Sequence, residues 1–275
     1  MGENTSKPIV ELVKAASNVL GQFYQDLAQP SVRALGQALG TVFELCPTSL
    51  LSIKIWTEKR KINFKKRLNE YAKKIEDIPE DKRCEVDTQI GTPIVERLTY
   101  TTNDQIADLF TTLLANASNI NTMNNVHPAF VQIVSELCPD EALIIKYLYE
   151  QKKICYVKHI RYIGYVFDSI TEKVNLSTPQ SKDMYFSHLI VLGIIAENQR
   201  SYTDFSPSNK AINTEYKKLE LKIEELIKNS NIQIKETTGY DLLSFFKEFE
   251  HPHTYNRGFY CLTQFGEFFA KACLS

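Results

Sequence analysis

Between residues 102 and 117 the apolar side chains Ile106, Leu109, Phe110, Leu113, Leu114 and Ala117 recur at steps of three and four. That spacing buries one continuous face only if the segment is an α-helix. Thr102, followed by Gln105 three residues on, forms a capping box at its start, and Asp104 places a negative charge where the helix dipole favours one. A helix with so broad an apolar face needs partners, and the neighbouring sequence supplies them. His127-Pro128 opens a helix carrying Phe130, Val131, Val134 and Leu137, and Pro139, suited to a first helical position, opens another with Leu143, Ile144, Tyr147 and Leu148.

Upstream, Ser6 caps an expected helix with Ile9, Leu12, Val13, Ala16, Leu20, Phe23 and Leu27 in register, stopped by Pro30. Ser31 restarts a second, glycine-containing helix that ends near Pro47. A third is predicted from about 49 to 75, where Phe64, Leu68, Tyr71 and Ile75 form one stripe. The acidic stretch 76–87, with Pro79 inside it, reads as a linker.

Beyond residue 152 β-branched and aromatic residues increase, and strands are expected at 154–157, 193–197, 232–237 and 258–262. A helix is predicted over 178–191. Another, over 211–228, sets Ile212, Tyr216, Leu219, Ile223 and Leu226 at alternating steps of four and three, a seam too short to hold a coiled coil alone. It either docks on its own domain or forms a dimer contact. Thr263 caps a last helix bearing Phe265, Phe268, Phe269, Ala272 and Cys273, with Gly266 allowing close packing. The expected fold is mainly α: a helical N-terminal bundle over 1–138, then a winged-helix-like α+β domain over 139–275 with the helix 211–228 inserted in its wing.

Charge narrows the candidate surfaces. Thirty-two Lys and Arg balance thirty-three Asp and Glu, for a net charge of −1, so any attraction to nucleic acid or anionic lipid is local. The local excess lies at 54–74, where Lys54, Lys59, Arg60, Lys61, Lys65, Lys66, Arg67, Lys73 and Lys74 face two acids, Glu58 and Glu70. It follows a Gly36/Gly40 pair at close-packing spacing and Trp56, a residue suited to a membrane interface. The run is either a polyanion or membrane surface or the solvated face of a helical hairpin. No stretch has the roughly twenty apolar residues that span a bilayer.

Six scattered cysteines, with no C-x-x-C pair, read as reduced thiols of a cytoplasmic protein, peripheral at the inner membrane if the basic run touches lipid. Met1-Gly2 with Ser6 fits the loose myristoylation pattern, but no secretory leader is expected.

Three segments together resemble the abortive infection alpha family of bacterial phage-defence proteins: DQIADLFTTLLANA at 104–117, VHPAFVQIV at 126–134 leading into LCPDEA at 137–142, and YCLTQFGEFFAKAC at 260–273. The resemblance implies a part in abortive infection, in which an infected bacterium stops growing or dies before phage matures. It brings no catalytic residues with it.

The residues themselves give little chemistry. No Gly-rich phosphate loop and no G-x-S-x-G elbow occurs. His251 and His253 flank Pro252 in what reads as a surface turn, His127 reads as a cap or packing residue, and His159 and His188 stand singly among apolar neighbours. No catalytic, cofactor or metal residues are therefore assigned, and no enzyme is expected. The expected partner is a protein, with an anionic membrane surface or nucleic acid as other uses of the basic helix. A winged-helix DNA-binding regulator using the basic helix 59–74 together with the winged module is the rival.

Overall fold

A computed structural model describes residues 58–159, 166–199, 210–238 and 255–275, with 58–61, 159, 166–167, 199, 210–212 and 230–238 described by backbone alone. The helices expected before residue 48, Gly36, Gly40 and Trp56 lie outside the described residues. What is described is mainly helical with a small antiparallel sheet. It divides into two compact units. The first holds the described residues up to Ala142 together with Phe268–Ser275, and the second is Leu143–Glu267. The boundary falls inside the helix opened by Pro139 instead of at its start, and the chain's last residues return to the first unit.

In the first unit, α1 (Glu58–Glu76), α2 (Thr88–Leu98), α3 (Asp104–Ala117) and α4 (Pro128–Glu136) share one core. The stripe Phe64, Leu68, Tyr71 and Ile75 is buried as its spacing requires, each residue 1% exposed. Helix α1 packs on α3, where Leu113 and Leu114 are buried, and α3 in turn packs on α2, which buries Ile94 and Leu98, and on α4, whose Phe130 packs edge-on against Phe269 at 5.4 Å between ring centroids. Each such side chain contributes about 1.5–3 kcal/mol on leaving water. Tyr71 brings a hydroxyl into this core. Ser118 Oγ gives its own proton to the Leu114 carbonyl at 2.8 Å, so the 2.7 Å contact has the Tyr71 hydroxyl donating to Ser118 Oγ. Burial pushes the phenol's pKa far up, which keeps that donor in place.

Three local expectations change. The cap of α3 is Asn103, whose side chain accepts from the Gln105 and Ile106 amides at 3.0 and 3.1 Å; Thr102 stands one position too early. Asn is among the strongest capping residues, and here it is also nearer the helix. The stretch 76–87 is not a loose linker. Ile78 and Val86 are buried, Arg83 bridges to Asn119, and the Cys84 amide donates to the Ser118 carbonyl at 2.9 Å. Helix α2 is an element the periodicity reading lacks. Pro93 interrupts the pattern there, yet Asp87 caps the helix and Ile90, Ile94, Val95 and Leu98 line its buried side.

The helix α5 (Pro139–Gln151) leads into the second unit's sheet, β1 (Ile154–His159), β2 (Val166–Asp168), β3 (Ile195–Gln199) and β4 (Tyr255–Leu262), ordered β2-β1-β4-β3 and antiparallel throughout. A short α6 (Ile170–Lys173) and α7 (Lys182–Val191) lie between β2 and β3, and α8 (Lys210–Thr238) between β3 and β4. The strand expected at 232–237 is instead the end of α8. An established helix adds residues at less cost than a new strand needs to start, and β-branched residues only weakly resist it. The chain closes with α9 (Gln264–Leu274). Thr263 caps it, its Oγ1 accepting from the Gly266 amide at 2.8 Å while donating to the Gly193 carbonyl at 2.6 Å. Gly266 permits that junction, since a Cβ there would sit 1.9 Å from the Ile194 carbonyl oxygen.

Candidate functional site

The basic run forms α1, and its charges divide by direction. Lys65 and Lys73 are exposed. Lys66 Nζ lies 2.9 Å from Asp104 Oδ1 and 3.8 Å from Glu70. Arg67 is 1% exposed: one terminal nitrogen donates to Asp104 Oδ1 at 2.6 Å and to the Thr102 carbonyl at 3.1 Å, the other to Glu70 at 3.2 Å. Lys74 pairs with Asp108 at 2.8 Å and donates to Thr112 Oγ1 at 2.9 Å. Lys59, Arg60 and Lys61 belong to the helical backbone, and Trp56 lies before the described residues.

Among the described side chains of the run, Lys65 and Lys73 thus remain facing water without an acidic partner, while Lys66, Arg67 and Lys74 tie α1 to α3. Asn63 also ties α1 to the turn before α3, donating to the Thr101 carbonyl at 2.8 Å. The Lys66 ammonium, then the Arg67 guanidinium, hold the Asp104 carboxyl below the usual aspartate range. Arg67 stands three residues after Phe64 and four before Tyr71, inside the apolar stripe itself. That position was the available signal for its inward direction. Asp104 and Asp108, one turn apart on α3, were the signal for an acidic complement.

A second polar cluster, which the sequence reading did not assemble, crosses one face of the sheet. Tyr156 lies over Gly258, where a Cβ would meet its ring, and its hydroxyl donates to Glu197 Oε1 at 2.6 Å; Lys158 donates to the same oxygen at 2.9 Å. Burial raises the Glu197 pKa, but these two donors outweigh it and leave the carboxyl below its ordinary range. Burial, then Glu197, pushes the Tyr156 phenol far up. Phe186 of α7 stacks on Tyr260 at 4.2 Å, and Lys182 of α7 pairs with the buried Asp168, whose Oδ1 accepts the Ile170 amide at 3.0 Å. Every acid in this cluster is matched by a donor, so its chemistry is that of a satisfied network.

The thiols lean the same way. Burial raises the pKa of Cys84, Cys138 and Cys261, pushes Cys155 up to about 11 and Cys273 higher still, which keeps them protonated at neutral pH. His127 caps α4, its Nδ1 accepting the Ala129 amide at 3.1 Å. His251 and His253 lie outside the described residues. Among the described residues no three His, Cys, Asp or Glu side chains converge as a metal site, and no helix is long and apolar enough to cross a membrane.

The family model described as abortive infection alpha matches residues 58–273. The chain belongs to that family. In this abortive infection alpha protein the match begins with α1 and ends in α9, so it takes in both units and each of the three segments on which the resemblance was drawn. Neither the curated proteins nor the solved structures offer a match.

Proposed function

We propose that this protein acts in abortive infection in a bacterial cell, restricting phage by binding a protein partner and without catalysing a reaction. The observation that carries the reading is the family match over residues 58–273. Its non-catalytic character is supported by the sites themselves: the carboxylates described above are matched by donors inside the fold, and the described thiols are held in their protonated, unreactive form. The free cysteines Cys84, Cys138, Cys155, Cys261 and Cys273 accord with the reducing cytoplasm.

We read the second unit as winged-helix-like, with α7 in the position of a recognition helix and α8 as the insertion before β4. A protein partner is favoured over DNA or lipid on charge. Affinity for a polyanion comes mainly from neutralising phosphates, and Lys182 of α7 is spent on Asp168, while Met184, Ile190 and Val191 are among the residues α7 exposes. On α1 the same holds for Lys66, Arg67 and Lys74.

Expression in a phage-sensitive bacterium, followed by challenge with a panel of phages, tests the role. Fewer plaques, with growth arrest of infected cultures at high multiplicity, are expected; undiminished plating of every phage beside folded protein would overturn it. Affinity purification from infected cells tests the partner class, where a stoichiometric protein is expected. Recovery of nucleic acid alone, lost on raising salt, would replace it with the polyanion reading.

A further inference from the structure

Among its described side chains, helix α8 meets the sheet through a narrow apolar strip bordered by charge. Tyr216, Leu219 and Ile223 are buried against Cys155 and Val157 of β1, with Ile227 and Tyr255 packed at the margin. This is the seam expected from the sequence, and within this chain it is turned onto its own sheet. On either side of the strip, successive turns send charges across. Glu215 pairs with Lys173 and Lys222 with Glu172; Glu220 takes Arg257 in a fork, at 2.6 Å to Nε and 3.0 Å to a terminal nitrogen; Glu224 accepts the Tyr255 hydroxyl at 3.3 Å. The Tyr216 hydroxyl donates to the Gly258 carbonyl at 3.0 Å, and the Arg257 guanidinium lies 5.6 Å from the Tyr216 ring centroid.

The two kinds of contact answer to solvent differently. Burial of the apolar strip is not weakened by simple salt. The Lys173, Lys222 and Glu172 side chains are 38%, 41% and 58% exposed, so ions reach those pairs and screen them, whereas Arg257 and Glu220, at 24% and 13%, are screened less. By contrast α3 in the first unit buries ten of its fourteen residues and is centred in a core of Phe, Leu and Ile. Elements with few buried apolar contacts open locally before the rest of a fold.

We propose that α8 is a charge-held strap that lifts from the sheet as a unit, short of global unfolding, and does so more readily as ionic strength rises. Lifting bares Cys155 and Val157 together with the Tyr216, Leu219 and Ile223 face of the helix. It turns an interior apolar surface into one that another molecule can meet, without requiring any change in the first unit's core.

Cys155, 2% exposed beneath α8, is a built-in reporter, and Cys273, fully buried in the first unit, is its control. The full-length protein is alkylated with N-ethylmaleimide at fixed pH over a salt series from low salt to about 1 M NaCl, and the labelled cysteines are read by peptide mass spectrometry beside hydrogen exchange of the same samples. Cys155 is expected to react faster than Cys273, and about tenfold faster at the high-salt end than at the low, for a summed loss of about 1.4 kcal/mol over several half-exposed pairs. Amides of α8 should lose protection in step while those of α3 keep theirs. Glu220→Gln should raise the Cys155 rate at low salt; if that variant does not fold, the wild-type series decides alone. Equal, slow labelling of Cys155 and Cys273 at every salt would mean that α8 opens only with the whole molecule, and fast labelling indifferent to salt would mean that charge does not hold it. Either result overturns the proposal.

Discussion

At the scale of the residue, Arg67 is the most deeply buried of the charges described on α1, and a guanidinium held in the same stripe as Phe64, Leu68 and Tyr71 has to be matched by acceptors in place. Arg67→Ala should lower unfolding free energy by about 2–3 kcal/mol, since it opens a cavity and strips Thr102 and Asp104 of a donor, whereas Lys65→Ala should stay within about 0.5 kcal/mol. Denaturant melts of the two variants separate these outcomes. Asp104 gives a pH signature of known sign. Its carboxyl has a lower pKa folded than unfolded, so the stabilisation is fully present above the ordinary aspartate pKa, about 3.9, and fades as pH falls through the folded value. Asp104→Asn should flatten the fall in stability below about pH 4, measured as urea midpoints against pH. An unchanged slope would show that other carboxylates govern it.

At the scale of the element, two helix starts are set by single side chains. Asn103→Ala removes the acceptor for the Gln105 and Ile106 amides and should cost about 1 kcal/mol, read as a shift in the melting midpoint. Gly266→Ala is the harsher change. Its methyl meets a backbone carbonyl, which cannot swing aside as a side chain does, so the turn from β4 into α9 must shift; about 1–3 kcal/mol of destabilisation is expected by the same measurement. A stable Gly266→Ala variant would mean that α9 relocates at little cost. The periodicity of α3, the stripe of α1 and the Thr263 cap were legible in sequence because each depends on residues within a turn or two of one another. Helix α2 was obscured by Pro93, and the tail of α8 resembled a strand because Ile232 and Ile234 alternate with polar residues at the strand period.

At the scale of the whole molecule, near-neutral net charge conceals a division of labour in which three of the five basic side chains described on α1 are answered by acids on α1 and α3. Among the described side chains, Lys65 and Lys73 are the two without an acidic partner, and they give the variant that tests this surface. Lys65→Glu with Lys73→Glu reverses the charge of these two exposed lysines without touching the ties to Asp104 and Asp108, so phage protection should be retained, with folding checked by circular dichroism. Lost protection in a folded double variant would restore α1 as the working surface.

The sequence by itself determined the helices α3, α4, α5 and α9 and the apolar stripe of α1, because periodicity and capping are local properties that a linear string records; through the wording of three segments it carried membership of the abortive infection alpha family. It also held the clue to Arg67, placed within the stripe. Tertiary structure alone decided that Asp104 receives both Lys66 and Arg67, that β4 lies between β1 and β3, and that the α8 seam turns onto its own sheet. Those outcomes depend on which distant groups are brought within a few ångströms, and a charge or an apolar face specifies the kind of partner it needs without specifying where in the chain that partner lies.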